Sequence, residues 1–335
     1  MNVQFFSRKK NPAFFSIEEL FETIQQSLAP YLSFQNHIMP YESTGIKNRW
    51  LNGLFAKKHK GEINHITGDV HYLALFLPRR NTILTIHDCG ELDKQKGIKK
   101  IILWFFWFYW PVKRLRYITT ISEATRIHLL QYVKIDPGKI IVIPNCLIGK
   151  YPVSERPFNV DKPAILLVGV TPNKNTERIA AALQNIPCTV MIIGTPNEVQ
   201  IGFLNRYKIE FRYKSGLSRQ EIISVYAVCD MLVFPSLLEG FGLPIIEAQA
   251  SGKPVVTSNI NPMLSTAGKG ACLVDPYSVD DIRKGILRVI QDADYRKHII
   301  DKGIENSKRF GPDQVAEQYI EVYKKIVKDN RSNYL

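Results

Sequence analysis

Residues 231–256 read MLVFPSLLEGFGLPIIEAQASGKPVV. The first four, Met231 to Phe234, form a short apolar run of the kind that fills a buried strand. Pro235 and Ser236 end it. Gly240 and Gly242 bracket Phe241, so the backbone can turn sharply there and come close to a ligand. Pro244 suits the first turn of a helix, where its missing N–H costs nothing. A helix over 243–250 follows, and Gly252 stops it. A glycine-rich loop that opens a helix directly after a strand presents backbone N–H groups and the positive end of the helix dipole. That setting suits an anion such as a diphosphate.

Two carboxylates stand in this stretch. Glu239 lies in the loop. Glu247 lies about one turn into the helix, and helical side chains lean toward the N-terminus, which aims it back at the same loop. Carboxylates accept hydrogen bonds well from sugar and ribose hydroxyls. A pocket holding both would therefore bind a molecule with a phosphate and several hydroxyls. Spacing alone supports a second reading equally: Glu247 complements the helix dipole and Glu239 is a solvated loop residue.

The segment resembles the E-x7-E signature of the family 4 glycosyltransferases. The likeness extends to HITGDVHYLAL (65–75), TILTIHD (82–88), TTISEATR (119–126), IIVIPN (140–145), VGVTPNKN (168–175), LSRQEIISVYAVCD (217–230) and RFGPDQVAEQYIEVYKKI (309–326). The resemblance implies an α/β protein of the GT-B fold, with two Rossmann-like domains facing a central cleft. It implies a retaining, metal-independent transferase that takes a nucleotide sugar, UDP- or GDP-linked, and uses no cofactor. By position it assigns catalytic roles to His87, Glu239 and Lys174. The donor would be held by Gly169, Asn173, Lys174, Arg178, Glu239, Gly240, Phe241, Gly242, Leu243 and Glu247, with Glu247 on the ribose. The family usually has an arginine near the loop lysine. Here that neighbour is Asn173, and Val170 follows Gly169; Arg178, one helical turn on, is the candidate replacement.

Composition sets the outer bounds. The chain has 335 residues, room for two domains with separate cores. Five cysteines (Cys89, Cys146, Cys188, Cys229, Cys272) are scattered without metal-ligand spacing, as expected of core-filling thiols in a reducing compartment. The opening MNVQFFSRKK lacks the apolar stretch and cleavage site of a secretory signal, and the expectation is a cytoplasmic protein. The formal charge of +13 is uneven: residues 1–160 hold 22 Lys and Arg against 12 Asp and Glu, the remainder 22 against 19. The basic half would attract an anionic membrane or an anionic substrate. No nucleic-acid motif accompanies it, so nucleic acid is not an expected partner.

In chain order, Val3 to Phe6 reads as the first strand, followed by the basic loop Arg8-Lys9-Lys10. Ser16 and Glu19 form a capping box for a helix reaching about Leu28. Strands are expected at 62–66, 83–86, 118–121 and 140–143. Thr67 or Asp69 is expected to cap the helix carrying His71. Lys9, Lys10, Asp69 and His71 are the candidate acceptor contacts, with solvated turn residues and a helix cap as the plain alternatives. His87 and Asp88 follow a strand at its carboxyl end, where open α/β sheets place ligands.

Residues 94–116, KQKGIKKIILWFFWFYWPVKRLR, are too short in their apolar part to span a bilayer. Trp104, Trp107 and Trp110 recur every third residue between basic clusters, which suits a membrane interface; a helix packed under the sheet is the alternative. The domains expected are 1–155 on the acceptor side, 156–312 on the donor side, and a helix over 313–335 returning to the first domain.

The function expected is transfer of a hexose from a nucleotide sugar to a glycan or lipid-linked glycan acceptor in cell-surface polysaccharide synthesis. The enzyme is expected to sit peripherally on the cytoplasmic membrane face. Two other readings share the fold: a nucleotide-sugar epimerase, and a non-catalytic donor-binding subunit.

Overall fold

A computed structural model describes residues 1–9 and 16–331. The chain divides into two compact units: residues 1–146 with the segment from Pro312 onward, and residues 147–311. Each is built on one six-stranded parallel sheet.

In the first unit the strands are β1 Asn2–Ser7, β2 Ser33–Ile38, β3 Ile63–Ile66, β4 Thr82–Ile86, β5 Tyr117–Thr120 and β6 Ile140–Val142, in the order β2-β1-β3-β4-β5-β6. Pairs such as Ile83 with Tyr117 fix the parallel register. β3, β4 and β5 are buried along their whole length, as all-parallel strands covered on both faces must be. The helix Pro312–Arg331 packs on this sheet although it follows the second unit in sequence. Its attachment is partly polar. Buried His65 lies 2.7 Å from Tyr323 Oη through Nδ1 and 2.7 Å from Thr85 Oγ1 through Nε2. Thr85 lies 2.7 Å from Thr119 Oγ1 in turn. Burial holds the His65 pKa down at about 3, so the ring is neutral.

In the second unit the strands are β7 Ala164–Val168, β8 Thr189–Ile193, β9 Glu210–Lys214, β10 Met231–Phe234, β11 Val255–Ser258 and β12 Cys272–Val274, in the order β12-β11-β10-β7-β8-β9. The expected helix Leu243–Ala250 is present, with Gly242 at φ 103° before it and Gly252 at φ 68° after it. The helix Arg219–Val228 carries a capping box of Ser218 and Glu221.

Several expectations change. Residues 147–155 belong to the second unit rather than the end of the first: Ser154 N–H donates to the Ser251 carbonyl at 3.1 Å, and Gly149 lies against Ile223. Neither Thr67 nor Asp69 caps the short 3-10 helix His71–Leu75, whose first flanking residue is Val70. Residue 16 does begin a helix, Ser16–Leu28, but Lys10 lies outside the described residues, as does the Ser16 side chain. All five cysteines are free and buried. Among the described residues no helix is long and apolar enough to cross a membrane.

The tryptophan segment is the largest departure. Gly97–Leu103 and Trp110–Arg114 are α-helical, but Trp104–Tyr109 between them is π-helical. The wider π turn places residues three apart on different faces. Trp107 is buried, its Nε1 donating to Asp69 Oδ1 at 3.1 Å and the Arg49 guanidinium 4.5 Å above its ring. Trp104 is half-buried and donates to the Tyr132 carbonyl at 2.9 Å. Of the three, Trp110 alone is exposed, so they do not form the single outward face that the spacing suggested.

Candidate active site

In an open parallel sheet, ligands settle beyond the carboxyl ends of the strands where the strand order reverses. In the second unit that reversal falls between β7 and β10. β7 leads outward to β8 and β9, and β10 leads the other way to β11 and β12. The loops leaving β7 and β10 bring together the two residues that dominate the site. Lys174 Nζ lies 2.6 Å from Glu239 Oε1, with both side chains mostly covered. The lysine also sits 4.5 Å over the Phe234 ring.

The loops are laced to each other. Leu237 N–H donates to the Asn173 carbonyl at 2.8 Å, and Asn173 Nδ2 donates to the Leu238 carbonyl at 2.7 Å and lies 3.3 Å from Glu239 Oε1. Ser236 Oγ is 2.5 Å from Glu239 Oε1 and 2.8 Å from the Asn173 carbonyl. Gly169, at φ 88°, is required twice over: a Cβ there would sit in strained backbone and 2.7 Å from Lys174 Cε. The lysine is thus laid across a glycine, under a carboxylate, at the mouth of β7.

Other expected donor residues fall out differently. Glu247 is buried at 4% exposure; its Oε1 accepts from Arg219 Nη1 at 2.9 Å and its Oε2 from Tyr226 Oη at 2.9 Å. Its carboxylate does not face an open pocket, because the neighbouring helix Arg219–Val228 supplies both partners. A ribose hydroxyl would have to displace one of them. Phe241 is buried against Phe310, with ring centroids 5.5 Å apart, so only its backbone can serve a ligand. Arg178 Nη1 donates to Asn175 Oδ1 at 3.0 Å. Asn175 is itself buried at φ 65°, its amide donating to the Pro235 and Pro276 carbonyls. Gly242 precedes the helix whose first residue is Leu243, and Gly240 stands two residues earlier in the same loop.

In the first unit the strand order reverses between β1 and β3. Thr67, just past β3, donates its backbone N–H to the Phe6 carbonyl at 3.1 Å, and its own carbonyl lies 2.8 Å from His87 Nε2. That contact makes Nε2 the protonated nitrogen and leaves Nδ1 as an acceptor. Burial holds the His87 pKa below its ordinary value, so the ring is neutral at pH 7. Lys9 is exposed just past the end of β1. Asp69 has its carboxyl pushed up to about 6, chiefly by desolvation. His71 is buried, Nδ1 is 2.9 Å from the Trp107 carbonyl, and burial lowers its pKa to about 4.

Sequence reading passed over Arg219, Tyr226 and Ser236, and took Thr67 only as a helix cap. Nothing in the spacing of Arg219 or Tyr226 sets them apart from other helical residues. Ser236, between the strand and Glu239, was within reach. An Asp-x-Asp spacing also went unnoticed at Asp292–Asp294; it serves as a helix N-cap, with Asp292 Oδ1 accepting from Tyr295 N–H at 2.9 Å. Among the described residues no group of three His, Cys, Asp or Glu side chains is placed to hold a metal ion.

Two parallel Rossmann-like units are the architecture of the GT-B class. The family model described as "Glycosyl transferases group 1" matches residues 154–306, and "Glycosyltransferase Family 4" matches residues 47–147. The chain belongs to the family 4 glycosyltransferases. It is similar to an O-antigen chain mannosyltransferase B of Escherichia coli, 27% identical over 280 residues that cover 74% of this chain and 72% of the relative. It is also 27% identical, over 70% of its length and 68% of the relative's, to an Escherichia coli UDP-Gal:alpha-D-GlcNAc-diphosphoundecaprenol alpha-1,3-galactosyltransferase. Among solved structures, a sucrose-phosphate synthase of Thermosynechococcus elongatus superposes with a TM-score of 0.79 at 16% identity, covering 98% of this chain and 100% of that one.

Proposed function

We propose that this chain is a retaining hexosyltransferase of cell-surface polysaccharide synthesis. It would move a sugar from a UDP- or GDP-sugar to a glycan or lipid-linked glycan, on the cytoplasmic side of the membrane and without a metal. The observation that carries the reading is the Lys174–Glu239 pair at the β7/β10 switch point. Without a ligand the two charges neutralise each other. A nucleotide sugar supplies a better partner for each: the diphosphate for Lys174, the sugar hydroxyls for Glu239.

During transfer the bond from the anomeric carbon to the diphosphate oxygen breaks, and the acceptor oxygen bonds to the same carbon from the same face. The acceptor proton passes to the departing phosphate. Negative charge grows on the diphosphate, and Lys174, released from Glu239, and the N-terminus at Leu243 would neutralise it; such electrostatic stabilisation is the main catalytic term in reactions of this kind. Gly240 and Gly242 let the backbone approach, and Asn173 holds the two loops in register. His87, neutral and oriented by Thr67, offers Nδ1 to a sugar hydroxyl. Lys9 and Asp69 are assigned to the acceptor. The names of the two Escherichia coli relatives support a glycan or diphospholipid-linked acceptor.

The test is a thermal-shift panel of UDP-, GDP- and ADP-sugars in chelator-containing buffer, followed by transfer with the donor that raises Tm. Proton NMR would then read the anomeric configuration of the product. A Tm rise with one nucleotide class and a product retaining the donor configuration are expected. An inverted product, conversion of the donor to an epimer, or loss of turnover on chelation would overturn the reading.

A further inference from the structure

The helix Gly45–Lys58 packs the wrong way round for a helix of a water-soluble domain. The residues it buries are Asn52, Gly53 and Ala56. The large apolar ones, Ile46, Trp50 and Leu54, fall at i, i+4 and i+8 on one stripe and are exposed at 86%, 58% and 44%. Ordinary amphipathic helices bury that stripe. The inward face needs small residues because a Cβ on Gly53 would already lie 2.4 Å from the Phe76 ring.

A second apolar ridge stands nearby. In the segment 97–114, Ile98, Ile101, Ile102, Phe106 and Trp110 are all exposed. The two stretches touch: the Arg49 guanidinium from the first helix lies 4.5 Å over the ring of Trp107 in the second. Both are basic and without a single carboxylate. Residues 45–60 and 94–116 contain no Asp or Glu, and Lys47, Lys57, Lys58, Lys60, Lys96 and Lys99 are exposed.

We propose that these two stretches form one docking face for an anionic phospholipid surface, with the aliphatic side chains and Trp50 and Trp110 inserted at the headgroup level and the lysines on the phosphates. Large exposed apolar patches mark interaction sites, and apolar insertion combined with lysine attraction is the mode of interfacial binding. The charge selects the occupant: a second copy of the same face would bring lysines against lysines. This goes beyond the transfer reaction and does not depend on it.

The test is co-sedimentation of the full chain with phosphatidylcholine vesicles, with and without phosphatidylglycerol. Binding to the anionic vesicles only, weakened by salt, is expected. The triple substitutions Ile46→Ser/Trp50→Ser/Leu54→Ser and Ile98→Ser/Ile101→Ser/Ile102→Ser should each weaken binding by ~10-fold or more, from lost apolar burial. Lys57→Glu/Lys58→Glu/Lys60→Glu should weaken it at least as much. All change exposed positions, so Tm and donor hydrolysis should match the parent; this separates failure here from failure of the transferase reading. Equal binding to neutral vesicles, no binding at all, or serine variants that bind like the parent would overturn the proposal. So would a parent dimer that the serine variants convert to monomer, which would make the face a protein interface.

Discussion

The two sheets reverse at equivalent places and use them differently. At the second sheet's reversal, opposite charges meet near the surface: Lys174 and Glu239 are 2.6 Å apart at the ends of adjacent strands. Around the first sheet's reversal the histidines are neutral and turned inward, although Arg8 pairs with Glu18 and Lys9 is exposed. His65, His71 and His87 have their pKa values lowered by burial; both nitrogens of His65 meet hydroxyls, while His71 Nδ1 and His87 Nε2 each meet a backbone carbonyl. Exchangeable charge suits a site that must trade one partner for a ligand. Locked neutral imidazoles suit a scaffold that must hold its shape. The same contrast divides the two glutamates of the second unit: Glu247 has both oxygens committed to Arg219 and Tyr226, whereas the Lys174, Ser236 and Asn173 contacts of Glu239 all converge on Oε1.

The sharpest way to break the comparison is at the Lys174–Glu239 pair. Lys174→Ala and Glu239→Ala should each lower transfer by roughly 10³-fold, the scale of removing one preorganised charge at a developing anion. Tm should fall by far less than turnover, because the pair, though mostly covered, keeps some contact with water. Transfer within a few-fold of the parent would return the pair to ordinary surface chemistry.

Glu247→Ala should show the opposite profile. It removes the carboxylate that both Arg219 and the buried Tyr226 hydroxyl bond at 2.9 Å, a loss of about 3 kcal/mol that urea denaturation would measure. An unchanged midpoint would mean that Glu247 is held for a ligand and not for the fold.

The smallest effect concerns the first unit and pH. Unfolded imidazoles protonate near pH 6.5, whereas folded His65 and His71 do so only near 3 and 4. Between those limits the unfolded state binds more protons, so stability falls as pH is lowered from about 6.5 toward 4. The slope reaches at most about 1.4 kcal/mol per pH unit for each ring. Asp69, protonated in the folded state up to about pH 6, offsets part of this. Comparing denaturation midpoints at neutral pH and near pH 5 checks the sign; equal stability would mean the rings are not held neutral.

Much of this was legible in the residues. The stretch 231–256 showed its strand, its two-glycine loop and its helix, because apolar runs, Gly and Pro act locally. β2 and β9 were not read as strands. Both are sheet edges, largely exposed, with the polar sequences SFQNHI and EFRYK, so neither presents an apolar run. The helix Gly45–Lys58 was missed for a related reason, since its apolar stripe faces solvent and its packed face is small and polar. The tryptophans misled because a spacing of three means one face only where the helix is α, and a π turn stands there.

By itself the sequence determined the parallel α/β class, the family, and the presence of a loop lysine and two glutamates beside a helix start. Those depend on neighbours along the chain. Only the tertiary structure decided which glutamate meets the lysine, which one is sealed by an arginine twenty-eight positions away, and which aromatic rings face water. Those outcomes depend on partners brought by other strands and helices, and no local rule of spacing carries that information.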